Sequence, residues 1–184
     1  MTGSDGIGTD DIRSLQIQVV FILNYLPVRK LNRLREFDYS TPGDYFVTIC
    51  VKDKTIKLSE ITPDRTGKNT VLLTETGKTV EKKLIEISKV YQYAKLDEYM
   101  IMPDHVHAII TILENSERKT TLSKIVGYFK AAVTKESGIS IWQKSFYDSI
   151  LDSEEMYYNA VDYIQQNPYR WQEKYFPENI KLIP

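Results

Sequence analysis

Both histidines of this 184-residue chain lie in one short stretch, Pro103-Asp104-His105-Val106-His107-Ala108-Ile109-Ile110. Imidazole is the commonest metal ligand among side chains and carries protons near neutral pH. Placing both rings in one stretch therefore points to a shared task. The stretch alternates as a strand does, and residues two apart on a strand project to the same face. His105 and His107 are expected to point together, while Val106, Ala108, Ile110 and Ile112 form an opposite face that is wholly apolar and reads as core. Two parallel neutral imidazoles can hold one divalent cation, each through one ring nitrogen, with the other nitrogen oriented by an acceptor. Asp104 is placed to be such an acceptor, or to shape the turn. The plainer reading, two ordinary polar residues on a partly exposed sheet face, stays open on this motif alone. Two ligands make a weak site, so a third is to be sought elsewhere.

A second candidate lies in Ser153-Glu154-Glu155-Met156-Tyr157-Tyr158-Asn159-Ala160-Val161-Asp162-Tyr163-Ile164-Gln165-Gln166-Asn167-Pro168. At about 3.6 residues per turn, Tyr157, Val161 and Ile164 make a core stripe, with Met156, Ala160, Tyr163 and Asn167 alongside it. Tyr163 and Asn167 are neighbours on that second stripe. Pro168 disfavours helix at the residue before it, which predicts that the pair sits in the last turn. A phenol and a carboxamide facing one groove could supply a nucleophile and a neutral oxygen ligand. The alternative is a packed tyrosine ring and an asparagine that caps the helix.

Other elements must bring these two segments together. Tyr45, Val47, Ile49 and Val51 alternate with Phe46, Thr48 and Cys50, the pattern of a strand buried on both faces. Short strands are expected at Thr55 to Ile61 and Thr70 to Leu73, on either side of the turn-rich TPDRTGKN. From Gly77, the residues Val80, Leu84, Ile87, Val90, Tyr91 and Ala94 recur at helical spacing. Leu96 to Met102 and His105 to Leu113, broken by Pro103-Asp104, read as an antiparallel hairpin. A second helix carries Leu122, Ile125, Val126, Phe129 and Val133 on its buried stripe and ends at Gly138. Trp142 to Ile150 reads as a strand, and a third helix is expected to open at Asp152 with Glu155 completing a capping box. This order predicts an α+β protein with a ferredoxin-like (RRM-like) antiparallel sheet and helices on one face, the histidine pair on a central strand.

The length suits one domain. Residues 1–27 read as an extension, flexible or lying on the body, before a domain over 28–184. The first residues lack the positive start and apolar stretch of an export signal. The apolar SLQIQVVFILNYL is too short, and too interrupted by Gln16, Gln18 and Asn24, for the roughly 20 apolar residues that span a bilayer. The one cysteine, Cys50, cannot form an internal disulfide and reads as a buried thiol, which suits a reducing cytoplasm. The formal net charge is -1, so a nucleic-acid partner would have to be held by a local basic surface.

Three segments, taken in order, resemble the single-tyrosine HUH transposases, specifically their REP-associated tyrosine transposase branch. They are DYSTPGDYFVTIC, PDHVH preceded by Tyr99-Met100-Ile101-Met102, and the helix carrying Tyr163-Ile164-Gln165-Gln166-Asn167-Pro168. The resemblance spans roughly Lys30 to Trp171. It implies a nuclease and strand transferase that depends on a divalent metal, Mg2+ or Mn2+, and acts on single-stranded DNA with hairpin elements. It assigns His105 and His107 to the metal pair, Tyr163 to the nucleophile and Asn167 to the third ligand, where many relatives have glutamine. Asp104 stands where asparagine is commoner. Tyr147 is expected on a strand beside the site in a supporting role, and Tyr157 in the core. Candidate DNA contacts are Lys124, Lys130 and Lys135 on the second helix, with Arg170 and Trp171 after the proline, because phosphates need cations and unpaired bases need aromatic faces. A monomer is favoured over an exchanged dimer. The competing functions are a hairpin-DNA-binding protein without transposition and a metal-dependent phosphoester hydrolase using water.

Overall fold

Val47 and Ile49 are wholly buried near the centre of β1 (Gly43–Cys50), the strand on which the sheet is assembled. The computed structural model describes residues 38–63, 69–114 and 120–176; the expected extension over 1–27 lies outside them. β1 pairs antiparallel along its whole length with β5 (His105–Ile112), from Gly43 opposite Ile112 to Cys50 opposite His105. Its other edge pairs with β6 (Tyr147–Leu151), and β5 pairs in turn with β4 (Ala94–Ile101). The sheet order β4-β5-β1-β6 is the expected ferredoxin-like arrangement, with the histidine strand in the interior. β2 (Ser59–Pro63) and β3 (Asn69–Leu73) form a separate two-stranded ribbon.

Alternation along β1 and β5 divides the sheet into two faces. Tyr45, Val47, Ile49, Val106, Ala108, Ile110 and Ile112 point into the main core. Against them pack Val80 and Leu84 of α1 (Glu75–Ile85), Ile87 of the short α2 (Ile87–Val90), and Leu122, Ile125, Val126, Phe129 and Val133 of α3 (Leu122–Ser137). α3 ends, as its sequence predicts, at Gly138 in the left-handed conformation (φ 72°), and its start is capped by the Thr121 hydroxyl. α1 comes so close to the β1–β2 connection that a Cβ on Gly77 would lie 1.8 Å from the Leu58 carbonyl oxygen, so only glycine fits there. The opposite sheet face carries His105, His107, Thr48 and Phe46. It is crossed by α4 (Glu154–Tyr175), whose Tyr163 and Trp171 rings meet residues of that face.

Several element boundaries differ from the sequence expectation. The first ribbon strand begins at Ser59, not Thr55, and the helix expected to run from Gly77 to Ala94 divides into α1 and α2, leaving Ala94 in β4. Trp142 makes only an isolated bridge to Val51, and the strand proper starts at Tyr147. Between them Lys130 donates to the carbonyls of Gln143 and Ser145, taking acceptors that a longer strand would need. α4 is capped by Ser153, whose hydroxyl accepts from the Met156 N–H, one residue later than the expected Asp152. The larger departure is at Pro168, which ends nothing: α4 runs on to Tyr175. An interior proline removes one helical hydrogen bond and costs about 3 kcal/mol or more. Packing offsets it, since Asn167, Pro168 and Gln172 are all buried, and tertiary burial here overrides the local preference. Tyr163 and Asn167 therefore lie in the middle of a 22-residue helix, not in its last turn.

Candidate active site

Register builds the site before any helix is added. Residues directly opposite on paired strands share a face, so Met100 on β4, His107 on β5, Thr48 on β1 and Tyr147 on β6 form one row across the sheet. His105 stands one step toward the Pro103-Asp104 turn, opposite Cys50. The two imidazoles meet edge to face with ring centroids 4.5 Å apart, and their Nε2 atoms are 3.0 Å apart. Each Nδ1 has its own partner: Asp104 Oδ1 at 2.6 Å from His105, and Thr48 Oγ1 at 2.9 Å from His107.

α4 lays its chemistry over this row. The Tyr163 ring stands edge-on to His107 at 5.3 Å and to Phe46 at 5.8 Å, and Phe46 itself stacks on His107 at 5.2 Å. The Arg170 guanidinium carbon is 5.2 Å from the centre of the Tyr163 ring, a cation over an aromatic face. Trp171 reaches His105 at 6.0 Å and Tyr175 at 4.4 Å. Asn167, one turn beyond Tyr163, is only 7% exposed, and its carboxamide makes no hydrogen bond with any described residue.

The surroundings fix the charge states. Burial, reinforced by the neighbouring His105, holds His107 well below the ordinary histidine value, so the ring is neutral at pH 7. The hydrogen bond from His105 lowers Asp104 below the usual carboxylate range despite its partial burial, with Lys54 and Lys57 contributing through space. Asp104 is thus a carboxylate and can only accept, so the His105 Nδ1 that faces it carries a proton. Burial pushes the Cys50 thiol up, so the residue opposite His105 is no ready thiolate.

The donor set suits a divalent cation in part. Two ligands each about 2.1 Å from one ion and at right angles to one another are about 3 Å apart, which matches the separation of the Nε2 atoms. Both rings also have the Nδ1 partner that metal-binding histidines need. Among the described residues, no three His, Cys, Asp or Glu side chains converge as a cation site. A third protein ligand on the described elements would have to be a neutral oxygen, and Asn167 carries one on the same helix as Tyr163.

Not every residue predicted from sequence is gathered here. Tyr147 is 42% exposed and sits beside Thr48, one strand further from His107 than Thr48 is. Lys124, Lys130 and Lys135 belong to α3, whose buried stripe packs on the far face of the sheet. Lys130 is moreover engaged with the Gln143 and Ser145 carbonyls and lies 5.6 Å from the Phe146 ring. Sequence reasoning missed Thr48, Phe46, Lys54 and Lys57 as neighbours of the histidines. For Thr48 there was a signal, a hydroxyl in an otherwise apolar strand. Its meaning required the β1–β5 register.

No family model matches the chain. An uncharacterized protein of Haemophilus influenzae is 31% identical over 168 residues, a match covering 79% of this chain and 91% of that protein. The two proteins belong to one family. Among solved structures, the REP-associated tyrosine transposase bound to a REP hairpin superposes with a TM-score of 0.59 at 21% identity, over 76% of this chain and 74% of that one. This chain has the REP-associated tyrosine transposase fold. In this chain the imidazoles belong to the sheet and the Tyr163 phenol to the helix across it, so both are held by rigid elements.

Proposed function

We propose that the protein is a metal-dependent endonuclease and strand transferase acting on single-stranded DNA beside hairpins, through a covalent 5'-phosphotyrosine. One observation carries this reading: Tyr163 meets His107 at 5.3 Å between ring centres within the same chain. The fold of a transposase solved on a REP hairpin supports hairpin DNA as the partner. Tyr163 in contact with the imidazole pair of its own chain supports a monomer working in cis. No helix among the described residues is long and apolar enough to cross a membrane.

His105 and His107, with Asn167, would hold Mg2+ or Mn2+. Such an ion polarises a phosphodiester and stabilises the charge that develops as it is displaced. The phenolic oxygen of Tyr163 attacks phosphorus, the P–O3' bond breaks, and the departing 3' oxygen takes up a proton while the phenol gives one to solvent. The 5' phosphate stays on Tyr163 as a diester, so the free 3' hydroxyl can reverse the step or a new one can replace it. Phe46 and His107 fix the edge of the Tyr163 ring, and Arg170 over its face supplies positive charge beside the incoming phosphate. Trp171, between His105 and Tyr175, offers an aromatic surface for an unpaired base.

The test is a labelled single-stranded hairpin substrate with Mn2+ or Mg2+. The expected result is a denaturation-resistant protein–DNA adduct that Tyr163→Phe removes while hairpin binding persists. Free ends without adduct would mean hydrolysis by water; binding without cleavage would mean a hairpin-binding module.

A further inference from the structure

The two histidines have unlike partners. His105 Nδ1 faces a carboxylate oxygen of Asp104 at 2.6 Å, which can only accept a proton. His107 Nδ1 faces the Thr48 hydroxyl at 2.9 Å, which can donate or accept. Between them the Nε2 atoms are 3.0 Å apart, and two bare nitrogen lone pairs at that distance repel unless a proton or a cation lies between them. When His105 carries a single proton, held on Nδ1 by Asp104, a bridging proton has to belong to His107 Nε2. His107 Nδ1 is then an acceptor, and the Thr48 hydroxyl donates to it. A cation shared by both Nε2 atoms demands the reverse: the His107 proton on Nδ1, with Thr48 accepting.

We propose that Thr48 is the positioning residue of His107, its reversible hydroxyl letting the ring exchange tautomers between a proton-bridged pair and a cation-binding pair. The inference rests on the cation reading above and adds to it that the two ligands are not equivalent: His105 is preset and His107 switches. The exchange conserves charge, since the ring loses the proton on Nε2 and gains one on Nδ1. It also accounts for a threonine in the row between His107 and Tyr147, where valine would fill the same volume in a strand. Valine cannot accept from Nδ1–H, and an acceptor-only side chain would oppose the proton-bridged pair.

The experiment uses the full chain and its Thr48→Val and Thr48→Ser variants, with Mn2+ and Zn2+ as probes. Imidazole nitrogen NMR on the metal-free wild type is expected to show His105 protonated on Nδ1 and His107 on Nε2, and added Zn2+ to move the His107 proton to Nδ1. Mn2+ affinity, read from the electron paramagnetic resonance of the free ion, is expected to fall about 10- to 100-fold in Thr48→Val and to stay near wild type in Thr48→Ser. Thermal unfolding of each variant monitors the fold. A His107 Nδ1–H tautomer in the metal-free wild type, or Thr48→Val binding Mn2+ as wild type does, overturns the proposal. A wild type that binds neither ion strikes the cation reading and the second half of the proposal with it; the metal-free tautomer then decides the first half alone.

Discussion

One sheet face holds two polar clusters at opposite ends, and they are built on opposite terms. At the His105 end, two imidazole Nε2 atoms face each other 3.0 Å apart, and the nearby charges include Arg170, Lys54 and Lys57. Four residues beyond His107 along β5, roughly 13 Å away at strand spacing, the Thr111 hydroxyl lies within hydrogen-bond distance of the carboxylates of both Asp44 and Asp97. Asp152, Glu154, Tyr157 and Tyr158 join them around an open cavity of about 440 Å³. Here Lys95 pairs with Asp97, and Thr111 touches both aspartates. The acidic end gathers carboxylates, while the imidazole end has positive charge beside it. A polyanion crossing this face is attracted at one end and repelled at the other, so the charge gradient orients it although the whole chain carries only -1.

The contrast breaks first if the imidazole end is dispensable. His105→Ala should reduce adduct formation with Mn2+ by on the order of 10³ or more, the scale at which groups acting as one unit fail together. The fold should survive, because His105 is partly exposed and its β5 neighbours Val106 and Ala108 hold the core. Adduct yield from hairpin substrate checks the first point and the thermal midpoint the second. Undiminished yield would show that the pair of rings does no chemistry.

A core truncation sets the stability scale. Phe129, wholly buried on α3 against Trp142, lies across the sheet from the site, and Phe129→Ala should cost about 3 to 5 kcal/mol in denaturant unfolding. Any loss of activity in that variant should follow the unfolded fraction alone.

How far the sequence could be read depended on the range of the force involved. β1 and β5, α3 with its buried stripe and Gly138 stop, and the common face of His105 and His107 follow from period and capping, which are local. The ferredoxin-like order was legible too, because alternating strands and helices admit few topologies. Pro168 misled because its local cost is real but smaller than the burial of Asn167, Pro168 and Gln172 around it. Trp142 misled because the Lys130 amine, distant in sequence, takes the carbonyls beside it. Thr48 carried a signal, but only pairing sets it opposite His107, and a sequence does not tell that the α3 lysines belong to a helix packed on the far face of the sheet.

Acid should discriminate the two halves of the imidazole pair. His107 has a native value below that of the unfolded chain. As pH falls through about 6.5, the unfolded chain takes up a proton that native His107 refuses, so stability present at higher pH is lost progressively. Asp104 acts in the same direction but lower: its native value lies below the unfolded one near 3.9, so its contribution is present above that and lost as pH falls through the native value. In chelator, the urea midpoint should therefore drop between pH 7.5 and 5, and His107→Gln should flatten that drop. Equal slopes for the two proteins would mean that His107 is not held neutral by burial.

The smallest expected effect comes from the acidic end and tests the gradient itself. Neutralising Asp44 and Asp97 together as Asn removes two negative charges from the far end and leaves Tyr163, His105 and His107 untouched. Adduct formation at saturating DNA should change by less than about threefold, since the cluster is screened from the imidazoles beyond roughly 10 Å at 0.1 M salt. Affinity for single strands flanking the hairpin should rise a few-fold at about 50 mM salt and return toward wild type near 1 M, where screening shortens to about 3 Å. Fluorescence anisotropy at the two salt concentrations reads this directly. If the double variant instead lost adduct formation as severely as His105→Ala, the acidic cluster would belong to the chemistry, and the division of one sheet face into a reactive end and a repelling end would be wrong.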